Sequence, residues 1–437
     1  MKEADDMKKV AFTTLGCKVN SYETEALWEI FRQKGYQRVS DTKAADVYIV
    51  NTCLVTNTAA GKSRQMIHRV LKHNPDADIL VMGCLSQLEA EKVLAEKNVR
   101  AIVGTNDREK LLGYLDEYHE KGKKINGINR VENRRKFGNL AVSGYSDHQR
   151  AFLKIEDGCD NYCSYCIIPY ARGPVRSKPL DEVMEEAEIL AKSHQEIILT
   201  GIHTGGYGKD IEDVTFATLL WKLAGDNNLP RIRISSIEIH ELTDEVIEIL
   251  SGSKRFVHHL HIPLQSGSDK ILKLMNRKYD TAYYKDRINK IRKALPDLSV
   301  TTDIIVGFPK ETEADFVDTL TFAEMIGFNE LHVFPYSKRP GTVAAKMTDE
   351  IPGNIKKERV GRLIALGEKM AKDAIKAMIG KKLEVIVERR QGDYLTGHSA
   401  GYIHVAFKGS DDLIGRKVDV ILDREAYPLS VGSLVNK

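Results

Sequence analysis

Short apolar runs alternate with stretches of helical period from residue 8 to residue 335, and this alternation limits the fold more than any other feature of the chain. In the first third, residues 8–15, 46–51, 78–82 and 100–104 read as strands. Helical periods at 21–35, 57–73, 86–97 and 107–119 follow them in turn. Strands joined through helices run parallel, so this third predicts an α/β domain with a doubly wound parallel sheet. Six further strand runs lie at 151–157, 195–201, 231–236, 258–263, 299–306 and 330–335, with helices near 179–193, 242–251, 268–275, 280–294 and 312–326. They predict a partial (β/α) barrel with its site at the carboxyl ends of the strands. A charged amphipathic helix over 354–378 precedes a change of pattern. Beyond Gly380 come short strands, LEVIVER, GYIHVAF and KVDVILD, separated by Gly and Asp turn signals. They predict a small all-β barrel, a shape common in nucleic-acid-binding modules. Residues 376–437 carry ten basic and eight acidic side chains, so charge alone does not separate RNA binding from a structural cap.

A chain of 437 residues predicts roughly two to four domains. A hydrophobic fraction of 42% is enough for packed cores and excludes wholesale disorder. Lys and Arg number 65 against 62 Asp and Glu, which excludes a uniformly basic nucleic-acid coat but leaves local patches open. No apolar run approaches the roughly 20 residues of a membrane helix. The charged start, MKEADDMKKV, lacks a secretory h-region, so a cytoplasmic location is expected.

Six cysteines are too few for a disulfide scaffold. Cys17, Cys53 and Cys84 each follow one of the first three predicted strands. Ligands of open α/β sheets bind outside the carboxyl ends of strands, so these distant residues converge on one edge. Three thiolates there suit a metal or an iron–sulfur cluster. Three compact buried residues are the other reading. Cys159, Cys163 and Cys166 crowd together just after the strand at 151–157. Three local thiolates would leave one iron of a cluster open to a ligand. The alternative, a zinc site completed by a distant His, fits less well because zinc knuckles more often space their ligands C-x-x-C.

Other features are weaker. Ala60-Gly61-Lys62-Ser63 ends like a phosphate loop, but Thr56 stands where the first Gly is needed, and Lys62 reads as a solvated helix residue. Residues 121–136 hold Lys121, Lys123, Lys124, Arg130, Arg134, Arg135 and Lys136 against Glu132, which reads as a solvated linker or a phosphate contact. His259 and His261 share a strand face, and with no carboxylate or Cys near in sequence they read as barrel-interior or surface residues. The glycines of residues 201–208 do not spell G-x-G-x-x-G and read as a turn at the barrel mouth.

The segment from Cys159 to Cys166, with Tyr165 as its aromatic residue, resembles the signature of radical S-adenosylmethionine (SAM) enzymes. The resemblance implies a six-stranded TIM-like barrel and a 4Fe–4S cluster whose open iron chelates SAM, which is then cleaved to a 5′-deoxyadenosyl radical. It also implies cofactor contacts. Thr200-Gly201 would meet the SAM amino group, although the usual Gly-Gly-Glu is absent. Ser236 and Glu238 suit the ribose or carboxylate, and Gln265 and Ser266 follow the fourth strand. Asp303 to Gly307 resembles the adenine strand, with Glu311 displaced by one residue.

End to end, the chain resembles the methylthiotransferases, which join a three-cysteine domain, a radical SAM barrel and a TRAM domain that binds tRNA. The matching segments are Thr14 to Asn20, Asn51-Thr52-Cys53, Gly83-Cys84, Cys159 to Gly173 and Tyr336 to Thr342. The implied domains are 8–120, a basic linker at 121–144, the radical SAM core at 145–375 and the TRAM domain at 376–437. Gly16-Cys17-Lys18-Val19-Asn20 resembles the branch acting on N6-threonylcarbamoyladenosine. The isopentenyladenosine branch usually reads Gly-Cys-Gln-Met-Asn, and the branch modifying a ribosomal-protein aspartate reads Cys-Pro-Lys-Asn.

The resemblance implies that Cys159, Cys163 and Cys166 hold the radical-generating cluster. Cys17, Cys53 and Cys84 hold a second 4Fe–4S cluster that carries the methylated sulfur. The implied reaction is methylthiolation of C2 of the modified adenosine at tRNA position 37, presented by the anticodon stem-loop as an unstacked base. An electron donor such as flavodoxin or ferredoxin is implied; a membrane or DNA partner is not. A non-catalytic RNA-binding iron–sulfur carrier is the alternative of another class. The threonylcarbamoyl group carries a carboxylate, and Arg172 and Arg339, expected at the barrel mouth, are candidates to read it.

Overall fold

The computed structural model describes residues 7–131, 136–138, 140–145 and 149–435. The first unit has strands β1 (Lys9–Thr14), β2 (Gln37–Val39), β3 (Val47–Thr52), β4 (Asp78–Gly83), β5 (Val99–Ile102) and β6 (Ile125–Asn126). They form one parallel sheet in the order β2-β1-β3-β4-β5-β6. Its helices are α1 (Lys18–Gln33), α2 (Asn57–Val70), α3 (Cys84–Leu88), α4 (Ala90–Leu94) and α5 (Leu111–Lys121). The two-residue period of β3 sends Val47 and Ile49 into one core with Leu27 and Phe31 of α1. It sends Tyr48 and Val50 into the other, with Ile67 of α2 and Leu85 of α3. Helices therefore cover both faces, and the sheet is doubly wound as expected.

Two expectations here need correction. The single helix at 86–97 is split into α3 and α4 at Glu89. The segment at 121–144 is not a plain solvated linker. Ile125–Asn126 adds β6 to the sheet edge, and Lys124 Nζ donates to the carbonyls of Leu94 and Glu96 at 2.7 and 2.9 Å. Leu140 and Val142 are buried in the next unit's core. Lys121, Lys123, Arg130 and Lys136 are exposed, while Glu132, Arg134 and Arg135 lie outside the described residues.

The second unit contains β7 (Ala151–Lys154), β10 (Glu196–Thr200), β11 (Arg231–Ile234), β12 (His259–His261), β13 (Ser299–Val306) and β14 (Glu330–Pro335). A short antiparallel ribbon of β8 (Glu156–Asp157) and β9 (Arg176–Ser177) interrupts them. The order is β7-β10-β11 and β12-β13-β14, all parallel, and the bridges Ile232–Phe256 and Ser236–His261 join the halves. The result is an open six-stranded half barrel. Its helices are α6 (Ile168–Arg172), α7 (Leu180–Ala191), α8 (Phe216–Gly225), α9 (Asp244–Gly252), α10 (Asp269–Leu274), α11 (Thr281–Ala294), α12 (Glu313–Ile326) and α13 (Gly353–Lys376). Helix α8, unassigned from the sequence, is started by a reciprocal Thr215–Thr218 capping box, a device that contributes about 1 kcal/mol. Ala151, Leu153, Ile197, Leu199, Ile232 and Leu260 face outward into the helical layer. By the same period Arg150, Phe152, Glu196, Arg233, His259 and His261 face the lumen, which is polar.

The third unit is a closed barrel of β15 (Lys382–Gln391), β16 (Tyr394–Ser399), β17 (His404–Phe407), β18 (Lys417–Arg424) and β19 (Ser430–Leu434) in the order β15-β16-β17-β19-β18. It docks on the amino-terminal ends of the half-barrel strands. Arg231 Nη1 donates to the Glu384 carbonyl at 3.2 Å, and Arg233 Nη2 to the Ser399 carbonyl at 3.3 Å. Tyr402, at the tip between β16 and β17 with φ of 71°, stacks on His259 with ring centroids 4.8 Å apart. The guanidinium groups of Arg150 and Arg233 lie over its ring at 5.7 and 5.1 Å. The lumen thus has a floor. A crevice of about 460 Å³ between α13 and this barrel is lined by Ala371, Ile375, Tyr427 and others, and no cysteine borders it.

Candidate active site

Each cysteine of the first set sits at a strand-to-helix switch. Cys17 caps α1 after β1, Cys53 follows β3, and Cys84 opens α3 directly after β4. The turns are built for close approach. Gly16 has φ of +109°, and a Cβ there would lie 3.0 Å from Cys53 Cβ and 3.2 Å from its Sγ. Gly83 has φ of +104°, and a Cβ there would meet the Thr52 carbonyl at 2.5 Å. Two side chains brace the turns of Cys17 and Cys53. Asn20 Nδ2 donates to the carbonyls of Leu15 and Thr52 at 2.6 and 3.2 Å. Ser63 Oγ accepts from the Cys53 amide at 3.0 Å and donates to its carbonyl at 2.8 Å. Ser63, the end of the false phosphate loop, is therefore a brace for Cys53, while Lys62 is exposed.

Burial pushes the Cys53 thiol up, and it pushes Cys84 up to about 11 despite the nearby Arg172. Bare thiolates are thus disfavoured, and a cationic metal centre is the group that would stabilise them here. Three cysteines on glycine-lined turns at one sheet edge fit a cluster with one open iron.

The second set follows the β8 edge. Gly158 has φ of +96°, and a Cβ there would lie 1.9 Å from the Pro174 carbonyl, so the chain can turn into Cys159 only through glycine. Burial raises Cys159 strongly and Cys166 to about 12. Arg277 Nη1 donates to Cys163 Sγ at 3.3 Å, and its Nη2 pairs with Glu238. Nothing in the sequence between Met275 and Tyr279 signalled this role, because Arg277 reaches the loop across the strand ends. These donors also fit a cluster.

The remaining expected cofactor residues divide. Gln265 has φ of 66°, and its buried Oε1 has no partner among the described residues. Gly307, with φ of +69°, donates its amide to Glu311 Oε1 at 2.9 Å. Gly201 lies against Glu156, whose buried Oε1 is also unpartnered. Tyr165 packs beside Met275 and Phe308. Ser236 bridges to His261. Thr200 Oγ1 is turned to the Ile198 carbonyl at 3.2 Å, and Ser266 Oγ accepts from the Ser268 amide at 3.2 Å, so both hydroxyls serve their own turns.

The two cysteine sets are brought together by one short element. Helix α6 begins two residues after Cys166 and packs on α3, which begins at Cys84. Ile167 and Ala171 are buried in the core of the first unit, and Thr105 Oγ1 donates to the Ala171 carbonyl at 2.7 Å.

Arg172 requires a correction. It is fully buried, with Nη1 on Glu23 at 2.9 Å and Asp157 at 3.0 Å, and Nη2 on Asn20 at 2.8 Å. These partners consume the fork that a substrate carboxylate would need, so Arg172 pins the two units together instead. Arg339 is 6% exposed and donates to Asn57 Oδ1 at 2.6 Å, tying the loop after β14 to α2. His259 and His261 line the lumen as expected, but a carboxylate does stand beside them: Asp303 from β13 lies 3.3 Å from His261 Nε2, while His261 Nδ1 lies 2.9 Å from Thr301 Oγ1. With His332, His261 and Asp303 form a group close enough to hold a metal ion, so the ground for setting metal binding aside does not stand.

Residues 153–323 match the Radical SAM superfamily, and residues 9–104 match the uncharacterized protein family UPF0004. The chain is 49% identical over 436 residues to a Bacillus subtilis threonylcarbamoyladenosine tRNA methylthiotransferase, MtaB, covering 98% of this chain and 97% of the relative. It is 36% identical over 442 residues to a Clostridium perfringens tRNA-2-methylthio-N(6)-dimethylallyladenosine synthase, covering 98% of both. Among solved structures, the radical SAM methyltransferase TsrM from Kitasatospora setae matches with a TM-score of 0.57 at 14% identity over 77% of each chain, a likeness of fold. The barrel and its cysteines define a radical SAM protein. Within that class, the chain belongs to the tRNA methylthiotransferase family.

Proposed function

We propose that this chain methylthiolates C2 of N6-threonylcarbamoyladenosine at position 37 of tRNA. The observation that carries the reading is the pair of three-cysteine sites joined through α6, in a chain 49% identical to MtaB over nearly its whole length. Cys159, Cys163 and Cys166 hold one 4Fe–4S cluster, and Cys17, Cys53 and Cys84 the other. When bound, SAM and the two clusters supply hydrogen abstraction at an unactivated C–H bond and the methylated sulfur.

The chain's own residues do the positioning. Arg277 orients Cys163 and Glu238 beside the SAM site, where Gln265, Gly201 and Gly307 offer acceptors and close backbone approach. Asn20 and Ser63 fix the turns of Cys17 and Cys53. The Glu23–Arg172 contact fixes the distance between the two sets. Residues 8–120, 121–144, 145–375 and 376–437 act as sulfur-donor domain, linker, radical core and TRAM domain, the last binding the tRNA. The protein works in the cytoplasm with a flavodoxin- or ferredoxin-class reductant.

The test is nucleoside mass spectrometry of tRNA from a deletion strain, in which 2-methylthio-threonylcarbamoyladenosine disappears and its unthiolated precursor accumulates. Loss of the isopentenyl-derived nucleoside instead overturns the substrate, and an unchanged profile overturns the activity.

A further inference from the structure

We propose that Lys18 is the residue that reads the carboxylate of the substrate's threonylcarbamoyl group, an inference that rests on the substrate reading above. Lys18 is the first residue of α1, directly after Cys17. Its side chain reaches solvent, yet it is crowded by protein, and that burial, with Arg150 and Arg233, lowers the ammonium to about 8; among the described residues it makes no hydrogen bond or ion pair. It lies within electrostatic reach of Cys17 on one side and of Arg150, Arg233, Glu196 and His259 on the other. The ammonium therefore stands between the N-terminal cysteines and the lower lumen.

The other lumen cations are already engaged in ion pairs. Arg231 and Arg233 share Glu196 at 2.6 and 3.0 Å, Arg150 pairs with Glu388 at 2.9 Å, and Lys154 pairs with Asp157 at 2.7 Å. Arg339 is nearly enclosed and held by Asn57. Among the described residues, Lys18 is the cation directly beside Cys17 whose ammonium has no hydrogen-bond or ion-pair partner. The chemistry of the base requires one there. C2 and C6 of adenine flank the same ring nitrogen, so a base that presents C2 to the sulfur-bearing site holds its N6 substituent close by. A carboxylate at the end of that substituent is met by a long, flexible ammonium, and a substrate without the carboxylate leaves the ammonium unpaired.

The experiment compares wild type, Lys18→Gln and Lys18→Arg, each reconstituted with iron and sulfide. The substrates are anticodon stem-loops bearing threonylcarbamoyladenosine or its neutral carboxamide analogue. Lys18→Gln lowers the carboxylate-over-carboxamide preference in kcat/KM by about 10- to 100-fold, the range of a charge-assisted contact, and Lys18→Arg recovers part of it. An equal loss on both substrates, no loss on either, or a fall in iron content in Lys18→Gln overturns the assignment; the equal loss or the fall in iron makes Lys18 a support for Cys17 instead. If wild type itself prefers an isopentenyl stem-loop, the substrate reading falls with it. That failure is distinguishable because it appears without any substitution.

Discussion

Glu23→Gln tests how the two cysteine sets are held in register. Glu23 is fully buried and receives Arg108 and Lys154 at 2.8 Å and Arg172 at 2.9 Å. Asp157 is the other anion of the group, beside Lys154 at 2.7 Å, Arg172 at 3.0 Å and Arg176 at 3.6 Å. The amide keeps the shape but removes one of two negative charges, leaving four buried cations around Asp157. Removing one partner of a buried pair costs about 3–5 kcal/mol. For units of this size, such a loss lowers the unfolding temperature by on the order of 10 °C. The assay is differential scanning fluorimetry of anaerobic, cluster-loaded protein, with hydrogen exchange locating the effect in α1 and α6. Glu29→Gln is the control, because its partner Arg32 is exposed and worth little. A shift below about 2 °C, or exchange that rises elsewhere first, refutes the reasoning.

The same group sets a pH window. Burial pushes the Glu23 carboxyl up, but Arg108, Arg172 and Lys154 outweigh it and hold it at about 2, against 4.5 ordinarily. A depressed carboxyl contributes fully above its unfolded value and loses that contribution as pH falls through its folded value. The contact between the units therefore weakens in wild type as pH drops from about 4.5 towards 2, and the dependence is flatter in Glu23→Gln.

Replacing Cys159, Cys163 and Cys166 with Ala leaves about half the iron and abolishes SAM cleavage, read by iron analysis and 5′-deoxyadenosine release. Unchanged iron, or zinc at either set, would refute the two-cluster reading. Cys17→Ala still releases 5′-deoxyadenosine but forms no methylthio product; a normal product yield makes the first set merely structural. Tyr402→Ala removes a stacked ring and two cation–π contacts worth about 0.5–1 kcal/mol each. It should raise protease cleavage between α13 and β15, and an unchanged digest shows that the tip does not hold the floor.

The elements most legible in the sequence were those whose apolar period matched their burial. All six half-barrel strands emerged because each alternates between a helical layer and a lumen. The cysteine turns emerged because thiols and glycines are rare and their spacing is informative. What was missed is short or polar. β6 is two residues long, β16 reads Tyr-Leu-Thr-Gly-His-Ser, and β9 buries the charged Arg176. The misreading of Arg172 has the same origin. Its partner Glu23 lies 149 positions away, and no local pattern reveals that a charge is already spent. Asp303 likewise reaches His261 only through the pairing of β12 with β13. Arg277, Asn20 and Ser63 act on cysteines remote in sequence, so only the folded chain exposes them.

The tyrosine at the tip of the third unit turns the half barrel into a blind alley. With the amino-terminal end floored, the way into the lumen along the barrel axis lies at the carboxyl ends of the strands, beside the loop from Lys338 to Gly341 and the start of α1. Small cofactor and large RNA therefore queue at one doorway, and a seated anticodon loop obstructs the exit of whatever lies beneath it.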